Sequence, residues 1–181
     1  MFKKKASRII KKIKNYLINT AYRVLYKKQK ITLQQIFDTE TITRYQHVSI
    51  TLRYLYIESY FSSDKTGIEL YKNAHKNYYR YVNKFYDEEK DINEFNALIE
   101  SIKEKGYDSN SVMYIDKNGN LYNGAHRMAI CAYFGIKDLY AYIVDKDSNP
   151  LTPEECYKIY NIDGLDSILL RKYSSIREKI L

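Results

Sequence analysis

With 181 residues the chain has the length of one domain with additions, and its 45% hydrophobic and 29% charged side chains exclude a disordered or fibrous protein. Two cysteines, Cys131 and Cys156, form neither a zinc pattern nor a disulfide framework, which fits a reducing cytosol. The net charge of +8 is unevenly spread: Met1 to Lys30 holds 11 Lys or Arg and no acid, while the other 151 residues hold 19 basic against 22 acidic side chains, so the body is not basic.

Ile9, Ile13, Leu17, Ala21 and Leu25 recur four apart with Ile10, Tyr16 and Val24 beside them, which predicts a basic amphipathic helix over residues 1–30. No apolar run there is long enough to span a bilayer, and no small-residue cleavage site follows. Such a helix suits an anionic membrane surface, each basic residue adding about 1 kcal/mol. A helix packed on the body with a solvated lysine face, and an arm that binds nucleic-acid phosphates, fit the same pattern. The first of the three places the protein in the cytoplasm, peripheral on the inner face of the membrane.

Thr41 to Phe85 is mostly helical in pattern and rich in tyrosine, with Val48, Leu52, Leu55 and Tyr56 on one face and Arg53 and Glu58 interrupting it. Residues 62–67 read as a loop, and Ile68 to Phe85 returns to helical spacing. A tyrosine stripe of this kind is the mark of a core more than of a base-stacking surface. After the acidic stretch Asp87 to Asp91, Asp91 and Glu94 have capping-box spacing, Phe95, Leu98, Ile99 and Ile102 supply a buried face, and Gly106 ends the helix.

Next, Asn118-Gly119 lies between VMYI (Val112 to Ile115) and Leu121-Tyr122, which predicts a β-hairpin. The second strand runs through Asn123-Gly124 into a helix over Ala125 to Phe134, whose apolar face is Met128, Ala129, Ala132 and Tyr133 and whose closing residue is Gly135. Leu139 to Val144 then reads as a strand parallel to an earlier one, because a helix connects them. Asp145 to Pro150 reads as a loop, Thr152-Pro153-Glu154-Glu155 starts a helix, and Leu165 to Leu181 is a last helix burying Ile168, Leu169, Ile176 and Ile180.

The turn at Gly124 brings unpaired amides and the positive end of a helix dipole to one point. His126 and Arg127 stand in that first turn, where two cations are unfavourable unless an anion joins them, so the pattern points to a phosphate. A capping histidine and a surface ion pair are the plainer alternatives.

Glu94 to Val144 resembles the ParB/sulfiredoxin superfamily in its succession of helix, glycine, hairpin, G-x-H-R helix start and final strand, and Ile31 to Ile36 (ITLQQI) would be the opening strand of that family. The resemblance implies an α+β fold: a small mixed β-sheet of ParB/sulfiredoxin type with helices packed around it, a helical insertion and the amphipathic N-terminal helix. The divisions expected are 1–30 for that helix, 31–150 for the family-like domain with its insertion at 41–90, and 151–181 for the C-terminal helices. It also implies a nucleotide-phosphate site at Gly124, Ala125, His126 and Arg127, with ATP or ADP as the nucleotide, CTP as a further option, and Mg2+. A branch with tyrosine-rich flanks accompanies bacterial surface-polysaccharide genes, so the resemblance implies a phosphotransferase (kinase) acting on a sugar or lipid-linked glycan. A non-catalytic nucleotide- or partner-binding module is the alternative. A ParB-like DNA-binding or nuclease protein is disfavoured by the acidic body and by the lack of a helix-turn-helix signature.

Asn123 stands where kinase-like members carry Asp in D-G-x-H-R, and an amide is no base. Ala125 stands at the sulfiredoxin nucleophilic cysteine, so that chemistry is excluded. The expected catalytic residues are His126, Glu58 and Asn123. Arg53 and Lys72 are further phosphate ligands, and Tyr71 is a further substrate contact. Glu40 and Asp116 are additional carboxylates, Asp116 reading equally as a hairpin-turn residue. No metal ligands are assigned, and His47 and His75 are taken as structural or surface residues.

Overall fold

A computed structural model describes residues 26–37, 45–111, 113–117, 119–145 and 151–181. Among them are four strands and seven helices, and the fold is α+β with a small mixed sheet. Strand β1 (Lys28–Thr32) pairs antiparallel with β4 (Asp138–Val144), β4 pairs parallel with β2 (Tyr114–Asp116), and β2 pairs antiparallel with β3 (Leu121–Asn123). The order β1-β4-β2-β3 places β1 and β3 at opposite edges. The parallel pairing expected of β4 is found with β2, although the helix α5 (Ala125–Phe134) that precedes β4 follows β3, the antiparallel neighbour of β2.

Two sequence expectations near the start are overturned. The opening strand is not 31–36: β1 stops at Thr32, and Leu33–Ile36 forms the short helix α1. The reason is a capping box, in which Gln35 N donates to Thr32 Oγ1 (3.2 Å) and Thr32 N donates to Gln35 Oε1 (2.8 Å). The helix expected over 1–30 cannot include Lys28 to Lys30, which lie in β1. Its residues 1–25, the candidate carboxylate Glu40, Asn118 of the hairpin turn and most of the loop ending at Pro150 lie outside the described residues.

Helix α2 (Tyr45–Phe61) is the centre of the molecule. It packs on α3 (Thr66–Tyr81), α5, α6 (Pro153–Tyr160) and α7 (Leu165–Ile180), so the single apolar face expected is replaced by burial all round: Val48, Ile50, Leu52, Tyr54, Tyr56 and Ile57 are all buried. The approach of α3 to α2 depends on Gly67, where an added Cβ would lie 2.2 Å from the Leu55 carbonyl oxygen, and Gly67 N donates to Ser59 Oγ across the junction (2.8 Å).

Helix α4 (Glu88–Lys105) starts three residues earlier than its expected cap. Asp87 is the N-cap, accepting from Lys90 N, and Asp91 lies inside the helix, with Glu88, Glu89 and Asp91 favourably placed in its first turn. Phe95, Ile99 and Ile102 are buried as expected, and Gly106 ends the helix. In α7 the buried row is Leu165, Leu169, Tyr173 and Ile176; Ile168 is exposed, contrary to expectation, because Tyr173 and Leu165 occupy the side that meets the core. Helix α6 has the expected Thr152–Glu155 capping box and N1 proline.

Candidate functional site

The site is assembled at the junction of β3 and α5. Gly124 caps α5 with φ 114°, and an added Cβ there would lie 2.6 Å from Met113 Cγ, so both backbone conformation and space demand glycine. No side chain caps the first turn of α5. The amides of Ala125 and His126, which precede the first intrahelical bond from Met128 N to Gly124 O, therefore remain available to a ligand.

Residues 123–127 line a cavity of about 430 Å³ together with Ser49 and Arg53 from α2, Asp91, Glu94, Phe95 and Leu98 from α4, and Leu121 and Tyr122 from β3. Arg53 is only 8% exposed; its Nη1 donates to Ser49 O (2.9 Å) and Ser49 Oγ (2.8 Å), and its guanidinium lies over the Tyr71 ring. The charged side chains in the lining are two guanidiniums, Arg53 and Arg127, and two carboxylates, Asp91 and Glu94.

Behind the lining runs a chain of polar contacts. His126 Nε2 is 2.9 Å from Tyr71 Oη, and the Tyr71 hydroxyl donates to Asp91 Oδ2 (3.1 Å). Tyr86 Oη donates to the same oxygen (3.1 Å), and His75 Nδ1 approaches it to 3.1 Å. His75 Nε2 in turn faces Arg53 Nη2 at 3.4 Å. A guanidinium can only donate, so His75 Nε2 is the acceptor and its Nδ1 carries the proton toward Asp91. Burial alone would raise the Asp91 carboxyl, but His75 and Tyr71 hold it down at about 2. Burial, reinforced by the Arg53 charge, pushes His126 well below its ordinary range, and burial lowers His75 as well. Both imidazoles are thus neutral at pH 7, and the two hydroxyls of Tyr71 and Tyr86 donate to the Asp91 carboxylate.

This corrects part of the electrostatic argument for the phosphate. His126 is not a second cation against the helix dipole, because it sits half-buried on the Phe95 ring edge (centroids 4.5 Å) beside a buried guanidinium. The unmet amides and the two guanidiniums remain. The structure brings together Arg53, Asn123, Gly124, Ala125, His126 and Arg127 as expected. It does not bring Glu58 there. Glu58 is five residues past Arg53 and lines a second cavity of about 850 Å³ with Tyr54 and Tyr133, where it is bonded to Lys172. Lys72 is also elsewhere, paired with Glu69 (3.1 Å) and Glu88 (3.4 Å). Asp116 is a turn residue, accepting from Asn120 N (2.8 Å) and Asn120 Nδ2 (3.0 Å).

Tyr71 does reach the site, but through Asp91 and His126. Three site residues were missed in the sequence: Asp91, read as a cap; Glu94, read as the partner of that cap; and His75, read as structural. His47 is buried and bonded to Tyr157 Oη (3.0 Å). Among the described residues no group of three or more His, Cys, Asp or Glu side chains is placed to hold a metal ion. The open helix turn and the guanidiniums fit an anion.

Comparison with protein-family models, with curated proteins and with solved structures finds no match to this chain. Among the described residues no helix is long and apolar enough to cross a membrane.

Proposed function

We propose that the cavity at the start of α5 binds the phosphate of a nucleotide, ATP or ADP first and CTP second, and that the chain is a ParB/sulfiredoxin-like phosphotransferase of bacterial surface-polysaccharide biosynthesis. The observation that carries this reading is the convergence of a buried guanidinium, Arg53, and the uncapped first turn of α5 on one cavity. A hairpin leading through glycine into a helix, followed by a parallel strand, supports the likeness in fold. The amides of Ala125 and His126, with the Arg127 and Arg53 guanidiniums, would hold phosphoryl oxygens. The acceptor would be a sugar or lipid-linked glycan, and residues 1–30 would rest on an anionic membrane surface. Positioning and electrostatics dominate phosphoryl transfer, which suits a site with few charged groups.

Asn123 in the lining and the removal of Glu58 to the second cavity favour a second reading, a non-catalytic nucleotide- or partner-binding module. Titration of the wild type and of Arg127→Ala with ATP, ADP and CTP, with and without magnesium, tests the first half of the proposal. Saturable binding lost in Arg127→Ala is expected. Indifference of the wild type to all three would leave only partner binding. Transfer of labelled phosphate from the bound nucleotide to glycan extracts separates enzyme from module.

A further inference from the structure

We propose that Tyr71, Asp91 and His75 are positioning residues that lock His126 in one tautomer, with the proton on Nε2, so that its bare Nδ1 is the base for a ligand hydroxyl in the first cavity. Tyr71 has one proton, and two acceptors compete for it: the Asp91 carboxylate at 3.1 Å and His126 Nε2 at 2.9 Å. An ionised carboxylate is the stronger acceptor, so the hydroxyl points to Asp91 and its oxygen accepts from His126 Nε2–H. The proton order at His126 follows: Tyr71 and Tyr86 both donate to Asp91, and His126 donates to Tyr71, while Arg53 donates to His75 Nε2 and the Nδ1 of His75 lies 3.1 Å from the same carboxylate. The reverse order would require a second tyrosine proton to keep the bond to Asp91.

With Nε2 engaged, Nδ1 is the nitrogen left for a ligand, since His126 lines the cavity and Phe95 holds its ring edge-on. A bare imidazole nitrogen recognises a donor, and His126 stands in the same first turn as the amides that would hold a phosphate. The ligand class is therefore one that brings a hydroxyl to the phosphoryl group. Resting on the phosphotransferase reading, the step is as follows. The hydroxyl proton passes to His126 Nδ1 as the oxygen bonds to the terminal phosphorus, and the bond from that phosphorus to the bridging oxygen breaks. Its electron pair leaves with the shortened nucleotide. The imidazolium so formed is stabilised by Asp91 through Tyr71.

The test is long-range proton–nitrogen NMR on the full chain labelled with 15N-histidine at pH 7.5, with His126→Gln to assign the signal. The wild type is expected to show a protonated Nε2 and a bare Nδ1 for His126. Tyr71→Phe, checked for folding by near-UV circular dichroism, is expected to move both nitrogens to intermediate shifts as the tautomers mix. A protonated Nδ1 in the wild type overturns the proposal without recourse to any variant, and so does an unchanged pattern in a folded Tyr71→Phe. Added ATP with magnesium is expected to shift Nδ1 and leave Nε2 protonated. The stated tautomer with no response to nucleotide would overturn the phosphotransferase reading and the base role that rests on it. Nucleotide binding with the opposite tautomer would overturn the base role alone.

Discussion

Tyr71 Oη and His126 Nε2 lie 2.9 Å apart, joining the middle of α3 to the first turn of α5 across 55 positions of sequence. Tyr71 is wholly buried, its ring packed against Tyr56 and Phe95, so its hydroxyl has no water to fall back on. Tyr71→Phe keeps the ring and removes the bonds to both Asp91 and His126. A stability loss of about 1–3 kcal/mol in urea unfolding is expected, the range for leaving buried polar partners unmet. Combined with Asp91→Asn the losses should fall short of additivity by roughly 0.5–3 kcal/mol, because both changes break one network. Strict additivity would show that the two residues act separately.

Acid should weaken the fold before any carboxylate titrates. His75 and His126 are held below their ordinary value of 6.5 in the folded chain and regain it on unfolding. The unfolded state therefore binds more protons below 6.5. Stability is full above that pH and falls as pH drops through it, by up to about 1.4 kcal/mol per pH unit for each group. Asp91, at about 2 against 3.8, adds a loss only below 3.8. Urea midpoints at pH 7.5, 6.5 and 5.5 should decline steadily below 6.5. A midpoint that did not move over this interval would contradict the neutral assignment of both histidines.

Glu58→Gln should leave nucleotide binding as it is, since Glu58 lines the other cavity. Its cost should appear in stability, at about 1 kcal/mol, through the weakened bond to the partly buried Lys172. Loss of nucleotide affinity in a folded Glu58→Gln would place the carboxylate back among the ligand contacts.

Gly67→Ala should separate α2 from α3. The new methyl would meet backbone, the Leu55 carbonyl at 2.2 Å, which cannot swing aside as a side chain can. A loss of more than about 3 kcal/mol is expected, at the upper end for overpacking. An alanine variant of wild-type stability would mean that the two helices do not approach so closely.

Cys131 and Cys156 should resist thiol reagents in the native chain. Both are buried, and burial pushes each thiol up to about 12, so almost no thiolate is present at pH 8. Reaction in urea but not in buffer is the expected outcome with a chromogenic disulfide.

What could be read in the sequence was what is signalled locally. Gly106, Gly135, Pro153 and the Thr152–Glu155 pair mark helix ends by their own chemistry, and α4, α5 and α6 follow them. The Thr32–Gln35 spacing was equally local, but the β-branched Ile31-Thr32 pair reads as strand and hides the cap. Asp91 was misread because an acid ahead of an apolar run looks like an N-cap. Its true role depends on residues 71, 75, 86 and 126, which no window of sequence contains. Helix α2 lacked a readable face because it is enclosed all round, and only tertiary packing reveals that Arg53 and Glu58 open into different cavities.

The placing of β1 and β3 at opposite edges of the sheet has a practical corollary. Three strand spacings, about 14 Å, separate the flank by which residues 26–28 enter the sheet from the flank that carries Asn123. A fluorescent reporter coupled to Lys28 itself would thus stand at the far edge of the sheet from the strand that leads into Gly124, and labelled protein should report on nucleotides as faithfully as unlabelled protein.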